Sequence, residues 1–233
     1  MGKHFQREIE RLKKNTLALS TMVEESVQKA VRALTKLDSG LAAEVIDNDY
    51  KVNMKEVELE EDCLKILGLH QPVAIDLRFI IAVLKINNDL ERIGDLAVNI
   101  AERAAFLSKH KKLHVPMDFS GMTREVQSML RGSLDALVNM DAKSAYEVLL
   151  ADDRVDAMNR EMFIQVQNEI RKNTSEVESL IHLLSASRHL ERIADHATNI
   201  AEDVIYMIEG EIIRHKAEEY QSDISPDISS DEA

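Results

Sequence analysis

Residues 90–102 read LERIGDLAVNIAE, and residues 190–202 read LERIADHATNIAE. Ten of the thirteen positions are identical, at a constant offset of 100 residues. Two amphipathic helices can agree by chance in their apolar positions, but this pair also shares its Glu, Arg, Asp and Asn residues. The chain is therefore read as two copies of one structural unit, each of about 100 residues.

The amino-acid composition is typical of long amphipathic helices. Of 233 residues, 45% are hydrophobic and 30% are charged, whereas only 4% are aromatic, with three Pro, seven Gly and no Trp. Strands would need more β-branched and aromatic residues in alternation. We predict an all-α protein made of two tandem three-helix bundles related by the internal repeat.

Capping residues and breaks in the apolar pattern divide each half into three helices. In the first half, Asp38 is expected to cap the second helix, and Pro72 to open the third. In the second half, Asp141 is expected to cap the fifth helix, and Ser175 with Glu178 to form a capping box for the sixth.

These helix ends set the expected boundaries of the two bundles. Residues 1–110 form the first bundle, 111–117 a linker, 118–215 the second bundle and 216–233 an acidic tail. The tail contains too few apolar residues to order itself.

Charge and hydropathy exclude several classes of protein. The net charge of −13 argues against binding to nucleic acid, whose phosphates need a positive surface. The single cysteine, Cys63, lies among apolar neighbours and is expected to be buried. Neither a signal peptide nor an uncharged stretch of about 20 residues is evident, which predicts a soluble cytoplasmic protein without a membrane span.

The repeated stretch spaces its carboxylates unfavourably for an ordinary exposed helix. Glu91 and Asp95, and again Glu191 and Asp195, are four residues apart on one helix face, where like charges repel by a few tenths of a kcal/mol. A solvated face opposite the apolar stripe would account for one such pair. Two pairs at matched positions indicate a shared role.

Antiparallel hairpins would add further carboxylates to each pair. With the turn between the second and third helices near residue 70, Asp49 lies level with Arg92. The same argument places Asp152 and Asp156 level with residues 192–196. Each hairpin thereby gathers three or four carboxylates at one height.

Clustered carboxylates raise one another's pKa unless a cation lies among them. Arg92 and Arg192 could provide the charge, and so could a metal ion. A site made only of carboxylates suits Mg²⁺, Mn²⁺ or iron rather than a structural zinc, which prefers Cys or His. Di-iron oxidases use Glu-x-x-His pairs in a bundle interior, which differs from the Glu-x-x-x-Asp pairs on an outward face here.

Three histidines recur every seven residues in the sixth helix: His182, His189 and His196. Heptad spacing indicates a helix interface or core edge more than a ligand set. His196 is the best candidate ligand of the three, because Asp195 and Asp152 are expected nearby.

Two sequence signatures stand out: the repeated stretch, and residues 71–78, which read QPVAIDLR. Both resemble signatures of the PhoU family of phosphate-signalling regulators. The likeness covers about residues 1–215. The resemblance implies two three-helix bundles whose Glu/Asp-x-x-x-Asp pairs can bind a multinuclear cluster of iron, manganese, magnesium or zinc. The implied ligands are Asp49 with Glu91 and Asp95 in the first half, and Asp152 and Asp156 with Glu191 and Asp195 in the second.

One position departs from the pattern of the family. Asn53 stands where a carboxylate is expected, at the place that Asp156 occupies in the other half. An amide is a weaker ligand than a carboxylate, so the first cluster is expected to be smaller or less tightly held.

The resemblance also implies a non-enzymatic role. Such a protein restrains phosphate uptake and the phosphate-starvation response as an adaptor between a sensor histidine kinase and the ATPase of a phosphate transporter. It would lie in the cytoplasm, at the inner face of the membrane through these partners. Apolar faces left over on the long helices make a homodimer the expected assembly.

Two alternatives remain at this point. The first is a two-metal phosphohydrolase that activates water at the carboxylates, although Glu91 lacks His and Lys neighbours for acid–base chemistry. The second is a metal-free structural adaptor whose acidic faces contact a basic partner. Metal analysis separates the second alternative from the metal-binding adaptor.

Overall fold

The computed structural model describes residues 3–110, 118–172 and 174–211. Within these ranges the chain forms six long helices and no strand, which confirms the prediction of an all-α protein. The predicted linker and acidic tail lie outside the described residues. The helices are α1 (Lys3–Lys36), α2 (Ser39–His70), α3 (Ala74–Lys109), α4 (Ser120–Asn139), α5 (Ala142–Lys172) and α6 (Val177–Glu209), and a short 3₁₀ helix, Thr174–Glu176, precedes α6.

The core follows the apolar stripes of the helices. α1, α2 and α3 pack together as one bundle, α4, α5 and α6 as another, and α3 and α6 pack against each other between them. The stripe of α3 that the sequence predicts to be core is fully buried, as is Cys63. That stripe consists of Leu90, Ile93, Ala97, Ile100 and Ala104. In the parts of the chain described, no helix is long and apolar enough to cross a membrane.

Two of the predicted helix caps are confirmed. The Asp38 side chain accepts hydrogen bonds from the backbone N–H groups of Gly40 and Leu41, at 2.9 and 3.1 Å. The Asp141 side chain accepts one from the N–H of Lys143 at 3.0 Å, directly before α5. Each satisfies backbone donors that the first turn of a helix leaves unpaired.

The prediction that Pro72 opens α3 is wrong. α2 continues to His70, and Gln71 adopts the left-handed conformation with φ 45°. Val73 is the extended residue before the helix, and Ala74 is the first helical residue. The proline therefore lies inside the turn, where its fixed φ favours the extended chain between two helices.

The predicted capping box of α6 is also wrong. Ser175 belongs to the 3₁₀ helix, so it lacks the extended backbone that an N-cap residue needs. The residue before α6 is Glu176, and it makes no capping hydrogen bond through its side chain. At the other end, Gly210 adopts the left-handed conformation with φ 81° and ends the helix.

α3 and α6 cross in antiparallel directions. Asp89 lies opposite His196, and Arg103 lies opposite His182. The residue numbers of both pairs have the same sum, so residues 100 positions apart in the repeat face each other near Ile93 and Ile193. The repeat thus relates α3 and α6 by an approximate two-fold axis at the centre of the α3–α6 interface.

Candidate metal centres

The first acidic cluster consists of Asp49 on α2 with Glu91 and Asp95 on α3. A Cβ atom added to Gly94 would lie 3.2 Å from Cγ1 of Val52 and 3.9 Å from Oδ1 of Asp49. The missing side chain at position 94 therefore allows α2 to approach α3 closely beside Asp49. The Asp49 side chain thus lies beside α3 at Gly94, in the part of the hairpin expected from the sequence.

Electrostatic coupling shows that the three carboxylates of the first cluster are neighbours. Burial raises the pKa of Asp49, the Asp95 charge adds to this effect, and a hydrogen bond donated by Asn53 at 2.9 Å opposes it. Burial and the Asp95 charge likewise raise the pKa of Glu91. The Arg92 guanidinium lies 3.5 Å from Glu91 and 3.7 Å from Asp95, so it is a partial counter-ion.

Glu56 lies beside the first acidic cluster and was not among the residues predicted from the sequence. Its negative charge contributes to the raised pKa of Glu91, and burial raises the pKa of Glu56 itself. Asn87 on α3 donates to the backbone oxygen of Glu56 at 3.0 Å. The available signal was its position seven residues after Asp49, on the same face of α2.

The second acidic cluster consists of Asp152 and Asp156 on α5 with Glu191 and Asp195 on α6. Burial raises the pKa of Asp152 to about 6, and the charges of Asp195, Asp156 and Asp153 add to the shift. Oδ1 of Asp152 is buried and has no hydrogen-bond partner among the described residues. A buried carboxylate oxygen without a donor is a position that a cation would satisfy.

Glu191 and Asp195 are also partly buried beside acidic neighbours. Burial raises the pKa of Glu191, and the charge of Asp156 adds to this effect. Burial also raises the pKa of Asp195, and the charges of Glu191 and Asp156 add to it. Carboxylates of α5 therefore act electrostatically on those of α6 in this hairpin.

The structure does not bring either cluster into the tight grouping of a single-ion cage. In the described ranges, the one set of three such side chains whose ligand atoms all lie within 4.8 Å of one another is His4, Glu8 and His70. Like charges separate when no cation lies between them. The carboxylates instead turn to local partners, as Asp156 does to Arg160 at 3.4 Å. The donor chemistry of both clusters still fits hard cations.

The three heptad histidines lie at the α3–α6 interface. Nδ1 of His196 is 2.7 Å from Asp89 Oδ1. The His182 ring stacks on Phe106 with 3.7 Å between ring centroids. Burial lowers the pKa of His189, whose Nδ1 is buried without a hydrogen-bond partner among the residues described. Their heptad spacing thus reflects helix packing.

Fold and site together define a class: an all-α protein of two repeated three-helix bundles, each with a cluster of carboxylates on its last hairpin. A comparison with protein-family models gives a match to the PhoU domain at residues 16–104 and again at residues 119–204. The chain belongs to the PhoU family.

Individual relatives agree with this assignment. A protein of Pseudomonas putida named "Phosphate-specific transport system accessory protein PhoU homolog" is 36% identical over 216 residues, which are 92% of this chain and 84% of that protein. The Escherichia coli K12 protein of the corresponding name is 33% identical over 213 residues, covering 91% of this chain and 88% of that one.

Solved structures show the same fold. The crystal structure of PhoU from Pseudomonas aeruginosa matches with a TM-score of 0.85 and 37% identity, over 89% of this chain and 100% of that one. The phosphate transport system regulatory protein PhoU from Streptococcus pneumoniae matches with a TM-score of 0.78 and 28% identity, over 89% and 98% of the two chains.

Proposed function

We propose that this protein is a cytoplasmic negative regulator of phosphate uptake and of the phosphate-starvation response. The observation that carries the proposal is the double match to the PhoU domain, since relatives that align with about nine-tenths of the chain are named accessory proteins of phosphate-specific transport. The protein acts as an adaptor between the ATPase of a phosphate transporter and a sensor histidine kinase, at the inner face of the membrane.

An adaptor needs surface for protein contacts, and α2 offers an apolar stripe. Tyr50, Met54 and Val57 are exposed at 57%, 69% and 50% and follow one another at helical spacing. Exposed apolar surface of this kind supports a role in protein association. The homodimer expected from the sequence stays a prediction, which light scattering of the purified protein tests.

Metal ions at the two acidic clusters are part of the proposal. Bound cations would neutralise carboxylates that burial and mutual repulsion disfavour as anions. The orphaned Oδ1 of Asp152 supports the second cluster as the stronger site. The first cluster contains Asn53 in place of a carboxylate, and Arg92 already neutralises part of its charge.

Elemental analysis tests the metal part directly. The parent protein, purified without chelator, is compared with the variant that combines Glu91→Ala, Asp95→Ala, Glu191→Ala and Asp195→Ala. We expect more than one iron or manganese ion per chain in the parent and none of that metal in a variant that remains helical by circular dichroism. Metal-free parent protein that also fails to bind added Mg²⁺ or Mn²⁺ would contradict this part.

The matched control removes the same number of charges elsewhere. Glu10, Glu61, Asp135 and Glu161 are exposed carboxylates outside both clusters. Their combined replacement by Ala is expected to leave the metal content unchanged. Metal loss in the control would mean that total charge, rather than the clusters, determines metal content.

The regulatory role is tested in cells at high phosphate. Deletion of the gene is expected to increase phosphate uptake and expression of starvation genes, and the parent gene is expected to restore both. Unchanged uptake and expression after deletion would refute the proposal. Introducing the four-alanine cluster variant in place of the parent then shows whether the metal clusters are needed for regulation.

The adaptor is proposed as non-enzymatic. The two-metal phosphohydrolase remains the alternative, and metal-loaded protein incubated with a generic phosphate ester distinguishes the two. We expect no turnover above that of the metal alone. Turnover that disappears in Asp95→Ala would favour the enzyme.

A further inference from the structure

We propose that His4, Glu8 and His70 form a site for a borderline divalent transition metal such as Zn²⁺, separate from the two acidic clusters. Each side chain offers one ligand atom, and the three atoms all lie within 4.8 Å of one another. Two imidazole nitrogens and one carboxylate oxygen are a donor set that suits zinc and its neighbours.

The fold builds this group from the two ends of the α1–α2 hairpin. His4 and Glu8 are four residues apart near the start of α1, so they share one face of the helix. His70 is the last residue of α2, because Gln71 ends the helix with its left-handed φ. The antiparallel hairpin brings these ends together.

One nitrogen–oxygen distance in the group is already close to that around a tetrahedral ion, whereas the other is that of a hydrogen bond and must lengthen when a metal binds. Metal–ligand bonds of about 2.0–2.1 Å place neighbouring ligand atoms roughly 3.3 Å apart. Nδ1 of His4 is 3.6 Å from Oε2 of Glu8, and Nε2 of His70 is 2.5 Å from the same oxygen. When His70 binds a metal ion through Nε2, the ion takes the place of the hydrogen in the His70–Glu8 bond, and the neutral imidazole carries its proton on Nδ1.

Access and local charge also favour a cation. The side chains of Glu8 and His70 are 16% and 22% exposed, whereas His4 is 75% exposed. The open side leaves room for water to complete the coordination, as in zinc sites with three protein ligands. His70 also lies in the last turn of α2, where the helix carries a partial negative charge.

One neighbouring group opposes metal binding. Nζ of Lys65 is 4.0 Å from Oε1 of Glu8, so its positive charge competes for the carboxylate. Removing this charge should tighten metal binding. If the three side chains had only a structural role, removing the charge of Lys65 would not tighten metal binding.

The test is a titration of the untagged, full-length protein with Co²⁺, a spectroscopic substitute for Zn²⁺, in excess Mg²⁺. Mg²⁺ occupies carboxylate sites but competes poorly for imidazole. We expect one equivalent of Co²⁺ with the visible d–d bands of a four- or five-coordinate ion, displaced by Zn²⁺. Parent protein that shows no such bands would overturn the proposal.

Substitutions show which residues bind the Co²⁺ ion. His4→Ala, at a largely exposed position, and His70→Gln should each weaken Co²⁺ binding at least tenfold, and Lys65→Met should strengthen it about two- to tenfold. His110→Ala, at an exposed histidine outside the group, should bind like the parent. Unchanged binding in both His4→Ala and His70→Gln would also overturn the proposal.

This inference does not depend on the acidic clusters. The four-alanine cluster variant should keep the Co²⁺ bands of the parent and the increase in Tm that Zn²⁺ produces. Loss of the bands in that variant would place the bound ion in the acidic clusters and reject the histidine site.

Discussion

Asp89 on α3 accepts a hydrogen bond from His196 on α6, with 2.7 Å between Oδ1 and Nδ1, and the repeat has no equivalent of this pair. The repeat-equivalent residues are His189 and Leu96. Leu96 is buried and offers no acceptor to an imidazole. The approximate two-fold symmetry of the α3–α6 interface is therefore broken at this polar pair.

Replacing His196 by Leu should destabilise the protein. Asp89 is only 9% exposed, and the change leaves its carboxylate with the weaker hydrogen bond from Asn199 at 3.2 Å. We expect the free energy of unfolding to fall by about 2–3 kcal/mol. Urea denaturation measures it. The double variant Asp89→Leu/His196→Leu should lose less than the sum of the two single changes.

An exposed ion pair is the control for these substitutions of Asp89 and His196. Arg154 on α5 bonds to Glu125 on α4, and Arg154 is 60% exposed. Arg154→Met should change the free energy of unfolding by less than about 1 kcal/mol. If the double variant Asp89→Leu/His196→Leu lost as much stability as the two single variants together, the two side chains would have no interaction energy.

Two glycines should respond in opposite directions to the same substitution. Gly210 has a φ of 81°, and an added Cβ would lie 1.8 Å from Nη1 of Arg78. Gly210→Ala should therefore lower the free energy of unfolding by about 1 kcal/mol, even after the Arg78 side chain moves away.

Gly68 is the matched control, because it lies inside α2 and an added Cβ would meet nothing within 4 Å. Gly68→Ala should raise the free energy of unfolding by about 0.5–1 kcal/mol through helix propensity. Thermal unfolding of both variants provides the comparison. A stabilising Gly210→Ala would be inconsistent with the left-handed cap.

Asp152 should make the metal-free protein less stable as pH rises. Its pKa is about 6 in the folded protein and 3.8 for the free side chain, so the folded state binds more protons between these values. The contribution of Asp152 to the free energy of unfolding is therefore greatest below about pH 4 and is lost as the pH rises through about 6.

Asp152→Asn should remove the loss of stability that deprotonation of Asp152 causes at high pH. With chelator present at pH 7, the variant should be more stable than the parent by about 1–2 kcal/mol after allowance for solvent screening. Urea denaturation at pH 4.5 and pH 7 measures the slope. Asp135→Asn, at an exposed site on α4, should leave the slope unchanged. A parent whose stability does not fall between these pH values would contradict the assignment.

Position 53 in the first cluster and position 156 in the second should influence how tightly each cluster binds metal. Asn53→Asp adds a fourth carboxylate to the first cluster and removes the hydrogen bond to Asp49. The metal-free variant should be less stable by about 0.5–1 kcal/mol, and Mn²⁺ should raise its Tm more than that of the parent. Asp156→Asn should weaken Mn²⁺ binding about tenfold. Calorimetric titration measures both, and equal affinities in all three proteins would reject the metal clusters.

Local patterns in the sequence were sufficient for the helices and for the partners within each hairpin. The apolar stripe from Leu90 to Ala104 and the cap at Asp38 depend on spacings within about four residues, and the structure confirms both. Asp49 lies beside α3 at Gly94, since a short turn restricts how two antiparallel helices can pair.

Other features depend on tertiary packing that local patterns do not encode. The Asp89–His196 bond depends on how the two bundles meet. The His4, Glu8 and His70 group brings together residues from opposite ends of a hairpin. A spacing of 62 residues between Glu8 and His70 carries no periodic signal.

The approximate two-fold axis between α3 and α6 has a consequence for the contacts of this interface. In a homodimer of one repeat, symmetry would require every contact to occur twice. With both repeats in one chain, the two halves of the interface can differ. Lys85 pairs with Asp203 at one end of the interface, while Arg103 meets His182 at the other, and each half can specialise independently.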